Sequence, residues 1–207
     1  VVENEENIPD TAETDSTGTP PKAAFRKASW LLMAVLTVGV VGSDQVSKQW
    51  AHTSLRANHG GRLVLSERLF SLTYVRNPGA AWGFLANADE SFRRPFFITV
   101  SSLAMIFILF VYARLERSQK LLAIALALVM GGAVGNFIDR IRFDYVIDFL
   151  DVYVGSYRWP TFNVADIAIS VGVFFLFADM VVVSIRQKKE RAAADQQNSE
   201  DKEDSSL

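Results

Sequence analysis

Four long apolar stretches, at 28–43, 96–113, 121–138 and 164–185, punctuate an otherwise polar chain of 207 residues. A bilayer core takes about 17–25 helical residues, and the last three stretches satisfy that directly. The first does so only if its helix continues through Asp44 to Trp50. A soluble domain of this size has no core able to enclose four such helices, so four membrane spans are predicted. Between the first two spans the pattern shortens. Residues 62–65 and 69–75 read as short strands, and 145–154, alternating in part, reads as another. Asn77-Pro78-Gly79 is a turn signal. The predicted fold class is mainly α and integral to the membrane: a four-transmembrane-helix bundle with a small extracytoplasmic β-sheet.

Charge sharpens this picture. The net charge of −2 hides a segregation. Residues 1–21 carry six acids and no Lys or Arg, and 190–207 carry six acids and two bases. The stretch 22–189 therefore holds 19 bases and 11 acids, a net +8. Both tails are expected to be disordered, since neither has the apolar content to offset ordering entropy. The membrane domain is expected to occupy 22–189. Basic residues also set orientation. Lys22, Arg26 and Lys27, then Arg114, Arg117 and Lys120, then Arg186, Lys188, Lys189 and Arg191 all fall on one side of a four-span topology. That side is expected to be the cytoplasm, with both termini on it. Arg93 and Arg94 argue weakly for the opposite. The first stretch has a rival reading as a cleaved signal peptide, because bases precede it and Val41-Gly42-Ser43 resembles a cleavage site.

Chemistry is narrowed by what is missing. The chain has no cysteine, which excludes thiol catalysis, disulfides and thiolate-bound zinc. Only His52 and His59 are available to a histidine-based metal site or triad. No metal and no cofactor are expected.

Polar groups at the ends of membrane helices are costly and call for a reason. The first apolar stretch ends in Asp44-Gln45-Val46-Ser47-Lys48. The third ends in Asn136-Phe137-Ile138-Asp139-Arg140, and the fourth begins Asn163-Val164-Ala165-Asp166. Asp139 lies about 28 Å along its helix from Lys120 at helical rise, and Asp166 sits in the first turn of a helix descending from the same side. Three acids from three helices thus reach one level near the outer interface. Asn136 with Asp139, and Asn163 with Asp166, are spaced i, i+3 and so share a helix face. Two facing carboxyl groups can share a proton, one activating water while the other polarises a scissile carbonyl. The blander reading makes Asn163 a helix cap, with Asp166 favoured by the helix dipole. Gly131, Gly132 and Gly135 suit close helix packing. A transporter or channel subunit lined by Asp44, Asp139 and Asp166 is the leading alternative, and a non-catalytic scaffold is another. Asp179, roughly 20 Å deeper at helical rise, is assigned no role.

At these residues the sequence resembles lipoprotein signal peptidase (signal peptidase II), a family of bacterial membrane aspartyl proteases. The resemblance runs from about Trp30 to Ile185. It rests on Asp44-Gln45-Val46-Ser47-Lys48, Asn77-Pro78-Gly79-Ala80-Ala81-Trp82-Gly83, the run from Gly131 to Arg140, Val146-Ile147-Asp148-Phe149, and the run from Trp159-Pro160 to Asp166. It implies removal of the signal peptide from prolipoproteins just before a diacylglyceryl-modified Cys, at the outer face of the bacterial inner membrane. It places the catalytic pair on Asp139 and Asp166, with Asp44, Lys48, Asn77, Asn136, Arg140 and Asn163 in supporting or substrate-binding positions. It implies inhibition by the cyclic peptide globomycin. The partners implied are a lipidated prolipoprotein and membrane lipid, with no nucleic acid and a monomeric chain. Trp82 stands where Phe is usual and Ile167 where Ser or Thr is common. Trp82 and the outer sheet are expected to clamp the substrate from above.

Overall fold

A computed structural model describes residues 22–58, 60–80, 84–116 and 118–204. The acidic leader 1–21 and Trp82 lie outside the described residues, and with them the expectations placed on them. Helix α1, Lys22–Trp50, passes into a π-helical segment, Ala51–Leu55, and a single turn α2, Arg56–Asn58. Strands β1, Arg62–Ser66, and β2, Phe70–Asn77, follow. Then come α3, Glu90–Ala113, and α4, Lys120–Phe143. Strands β3, Val146–Val154, and β4, Tyr157–Arg158, lead into α5, Val164–Asp204.

Among the described residues, four helical spans are long and apolar enough to cross a membrane: Ala28–Leu55, Glu90–Ala113, Lys120–Phe143 and Val164–Ala192. The first continues unbroken past Val41-Gly42-Ser43, as a full span requires, because its polar end is neutralised internally. Asp44 and Lys48, one turn apart, form an ion pair at 2.8 Å. Helix α5 exceeds expectation at its other end. It stays helical to Asp204, where an unstructured tail was expected from 190. Lys, Glu, Arg, Gln and a run of three Ala residues after 187 are strong helix formers, and propensity here outweighs the lack of apolar residues.

Helix α4 is the hub. Half of its apolar window is buried inside the protein, against roughly a tenth to a sixth for the other three spans. It packs against α1, α3 and α5, and its glycines let it do so. A Cβ at Gly131 would stand 2.7 Å from Val40 Cβ of α1. One at Gly132 would collide with the Ala165 carbonyl oxygen of α5. One at Gly135 would stand 2.6 Å from Asp44 Oδ2. Small residues thus bring three backbones together where the polar side chains sit.

The sheet lies at one end of the bundle, in the order β1-β2-β3-β4, all pairs antiparallel. The first three strands fall where the sequence predicts, and the two-residue β4 is an addition. The central β2–β3 pair joins segments far apart in the chain, with Val75 opposite Asp148 and Asn77 opposite Val146. Helix α4 is capped by Asp144, whose left-handed conformation (φ 64°) turns the chain sharply into β3. Two apolar clusters bracket the middle of the molecule. One, around Met33, Ile108, Tyr112 and Met130, lies toward the end remote from the sheet. The other, Ala51, Leu55, Ile147 and Phe149, underlies the sheet. The polar residues gather between them.

Candidate active site

The centre of this polar layer is Lys48, 1% exposed. Its ammonium donates to Asn136 Oδ1 at 2.8 Å and pairs with Asp44 Oδ2 at 2.8 Å and Asp139 Oδ2 at 3.1 Å. A buried cation is tolerable only when its donors are taken up and its charge is met, and here both conditions hold. Asp44 uses its other oxygen to accept from the Ala165 backbone N–H at 2.9 Å, so a residue of α1 caps the first turn of α5. Asp139 accepts from Gln45 Nε2 at 3.1 Å and from the Ile147 backbone N–H at 3.0 Å. It ties α4 to α1 and to the start of β3.

Asn163 and Asp166 form a reciprocal cap on α5. Asn163 Oδ1 accepts from the Asp166 N–H at 3.0 Å, and Asp166 Oδ2 accepts from the Asn163 N–H at 3.1 Å. The blander reading of this pair is therefore correct as far as it goes. It does not exhaust them. Asp166 Oδ1 also accepts from Asn136 Nδ2 at 2.8 Å. Asn163 Nδ2 donates to Asn136 Oδ1 at 3.2 Å and to Asp148 Oδ1 at 2.7 Å. Because Lys48 occupies the Asn136 oxygen, the amide must present its NH₂ to Asp166.

Asp148 is the residue to which the sequence reading gave no role. It sits on β3 with 2% exposure. Its second oxygen accepts from Asn77 Nδ2 at 3.0 Å, and Asn77 Oδ1 accepts in turn from the Gly79 N–H at 3.0 Å. Burial, together with the neighbouring Asp166 charge, pushes the Asp148 carboxyl up to about 7. A signal for it existed in the sequence. An acid inside the apolar strand Val146-Ile147-Asp148-Phe149-Leu150 breaks the pattern at a position that must be buried, where an unpartnered carboxylate would be very costly.

A cavity of about 690 Å³ lies between α3 and α5, floored by α4. Val100, Ala104, Ala133, Ile167 and Val171 form its apolar walls, and Asp148 and Asp166 stand together at its polar end. Val100, Ile167 and Val171 are exposed on the flank of the bundle, so the cavity reaches the surface within the apolar spans. Arg140 lines it too, donating to the Gly79 carbonyl at 3.3 Å and stacking over Phe97 at 4.7 Å. Here the structure differs from the expected pairing. The structure brings Asp44, Lys48, Asn77, Asn136, Asp139, Arg140, Asn163 and Asp166 into one network, but Asp139 does not line the cavity. Both of its oxygens are taken up by Lys48, Gln45 and Ile147. The carboxyl that shares the cavity with Asp166 is Asp148. The i, i+3 spacing put Asp139 on the correct face of α4, but not within reach of the cavity.

A four-span helical bundle with two carboxyl groups lining an apolar side cavity is an arrangement suited to a membrane-embedded peptidase of the aspartic type. Comparison with known proteins narrows this class. The profile of the family described as Signal peptidase (SPase) II matches residues 36–182. The lipoprotein signal peptidase of Syntrophus aciditrophicus is 46% identical over 169 residues, which cover 78% of this chain and 98% of that protein. That of Geobacter metallireducens is 44% identical over 164 residues, covering 79% and 99%. A solved structure described as "Bacterial membrane enzyme structure by the in meso method at 2.3 A resolution" superposes with a TM-score of 0.65 at 28% identity, covering 73% of this chain and 88% of that one. The chain belongs to the signal peptidase II family.

Proposed function

We propose that this protein is an aspartic endopeptidase that removes the signal peptide from diacylglyceryl-modified prolipoproteins, with Asp148 and Asp166 as its catalytic pair. The observation that carries this reading is the shared placement of those two carboxyl groups at the polar end of an apolar cavity, with Asn163 hydrogen-bonded to Asp148 and capped by Asp166. Acyl chains and an apolar signal segment can stay among the spans while the peptide bond next to them meets polar groups.

The environments of the two acids assign their first roles. Asp166 accepts N–H donors from Asn136 and Asn163 in the first turn of α5, beside the cavity. Asp148 keeps its proton up to about 7. Asp166 therefore takes a proton from water, whose oxygen attacks the scissile carbonyl, while Asp148 donates its proton to the carbonyl oxygen. In the second half Asp166 passes its new proton to the leaving amine, the C–N bond breaks, and Asp148 recovers a proton from the gem-diol. Lys48 and Asn136 hold Asp166 in register. Asn77 holds Asp148. Arg140 offers guanidinium N–H groups to the substrate at the cavity wall.

The sheet end of the bundle is read as the extracytoplasmic side, with both chain ends in the cytoplasm of a bacterium and the enzyme acting as a monomer. Arg94, which argued weakly against this orientation, is neutralised by Asp144 at 2.7 Å. The transporter reading is disfavoured because Asp44, Asp139, Asp148 and Asp166 gather at one end of the bundle, whereas a conducting path needs polar groups across it. The direct test incubates purified protein with a synthetic diacylglyceryl-modified precursor, with and without globomycin. Cleavage before the modified Cys, blocked by globomycin, is the expected result. An intact precursor contradicts the reading.

A further inference from the structure

The sheet contains a polar cluster that the peptidase chemistry does not use. Asp151 on β3 is completely buried in the sheet. It accepts from Ser71 Oγ at 2.8 Å and Thr73 Oγ1 at 3.0 Å, both on β2, and from Arg158 Nε at 2.7 Å on β4. Arg158 Nη2 closes a second contact to the same carboxylate, so the pair is a two-pronged fork. Ser71 stands directly opposite Asp151 across β2 and β3, and Thr73 lies beside a register irregularity. An ion pair of this kind adds little net stability beyond what apolar residues would give. It does fix where the guanidinium points. Arg158 is the exposed half of the pair, with 52% of its side chain accessible, and its Nη1 has no partner among the described residues.

The place it occupies gives the arrangement a use. A second cavity, of about 620 Å³, lies on the sheet side of the catalytic pair. It is bounded by the end of β2, the turn at Pro78 and Ala80, and the segment from Arg158 to Thr161. Asn77, Ala80, Asp148, Trp159, Pro160 and Thr161 belong to both cavities, so the two adjoin at Asp148. The first runs among the membrane spans and is apolar. The second is built from the sheet and its connections. A substrate whose scissile bond lies at Asp148 must divide between them: lipid and signal segment in the first, the chain beyond the modified Cys in the second. Arg76, the other cation at this cavity, stacks its guanidinium over Tyr145. Arg158 is the cation there that a buried carboxylate holds in place.

We propose that Arg158, pinned by buried Asp151, forms a subsite for the residues just after the modified Cys, binding carbonyl or carboxylate oxygens there and favouring acidic over basic side chains. This rests on the peptidase reading, because without a scissile bond at Asp148 the second cavity has no defined occupant. The Asp151 charge lies behind the guanidinium, out of contact with the cavity. A basic side chain entering the cavity therefore meets Arg158 first and is repelled.

The test uses the full chain in mixed detergent–lipid micelles with three lipidated precursors that carry Asp, Ser or Lys two residues after the modified Cys. Wild type is expected to favour Asp over Lys by about fivefold in kcat/KM, mostly through KM, the range of a partly exposed ion pair. The variant Arg158→Gln is expected to flatten that ranking. Because it leaves Asp151 buried without its counter-charge, the double variant Asp151→Asn/Arg158→Gln provides the same loss without an orphaned carboxylate. An unchanged Asp-to-Lys ratio in the double variant overturns the subsite, as does equal cleavage of all three substrates by wild type. A rate that tracks only the anionic-lipid content of the micelle, and loses that dependence in the double variant, also overturns it, because Arg158 would then be reading headgroups. Failure of wild type to cleave any precursor would overturn the peptidase reading itself, and the subsite with it.

Discussion

Asp148 and Asp166 are chemically alike and differ only in their surroundings. Asp166 has N–H donors on both oxygens at a helix N-terminus, and Asp148 is buried on a strand beside another acid. Burial first, and the Asp166 charge second, raise the Asp148 value to about 7, so in the proposed mechanism it can serve as an acid only below that pH. The activity profile should therefore fall above pH 7, by about tenfold per unit once Asp148 is ionised. The hydrogen bond from Asn77 opposes the rise by favouring the carboxylate. Removing it with Asn77→Ala should move the basic limb to higher pH, as kcat/KM across pH 5–9 would show. A downward shift would mean that the acid responsible is not Asp148. The same residues show what was readable in the chain. Asn136, Asn163 and Asp166 stood out because their spacing fixes a helix face. Asp148 did not, because strand register depends on pairing with a β2 segment about 70 residues away. Asp139 lies away from the cavity, engaged by Lys48 of another helix, a partner that spacing along α4 does not show.

Among the elements, α4 and α5 determine whether the site exists at all. The polar end of α4 reaches the first turn of α5 only because Gly132 and Gly135 leave no side chain between the backbones. Gly132→Ala drives a methyl group into the Ala165 carbonyl, an immovable neighbour. The expected cost is about 1–3 kcal/mol, with lost activity, because Ala165 lies between Asn163 and Asp166. Gly39 in α1 has nothing within 4 Å of a built Cβ. Gly39→Ala should leave activity intact and gain up to about 1 kcal/mol from helix propensity. Thermal unfolding of both variants in the same detergent checks the contrast, and equal effects would contradict it. The four spans and the three main strands were legible because hydrophobic length and alternation are local properties. Strand β4 was not, since two residues carry no period. The helical continuation of α5 to Asp204 rests on helix propensity, which composition by polarity does not show.

For the whole molecule, the buried network replaces an apolar centre between the two hydrophobic clusters. Lys48 joins Asp44, Asp139 and Asn136, and so connects α1, α4 and, through Asp44, α5. Lys48→Met keeps the volume but strands two buried carboxylates, at an expected cost of about 3–5 kcal/mol. Unfolding in detergent should show that loss, and an unchanged midpoint would mean the network is not what holds the spans together. This is also the scale at which sequence reading stopped. The composition announced a membrane protein with polar helix ends, but the partner of each polar group is decided by how four helices and a sheet meet.

The central claim is that Asp148 and Asp166, rather than Asp139, perform the chemistry. Turnover of a diacylglyceryl-modified precursor by Asp148→Asn, Asp166→Asn and Asp139→Asn, each corrected for its folded fraction, tests it most directly. The account predicts losses on the order of 10³-fold for the first two, the range of a lost general acid or base. The folded Asp139→Asn enzyme should keep measurable cleavage at a lowered melting temperature. Near wild-type turnover by Asp148→Asn, with none by folded Asp139→Asn, would contradict it.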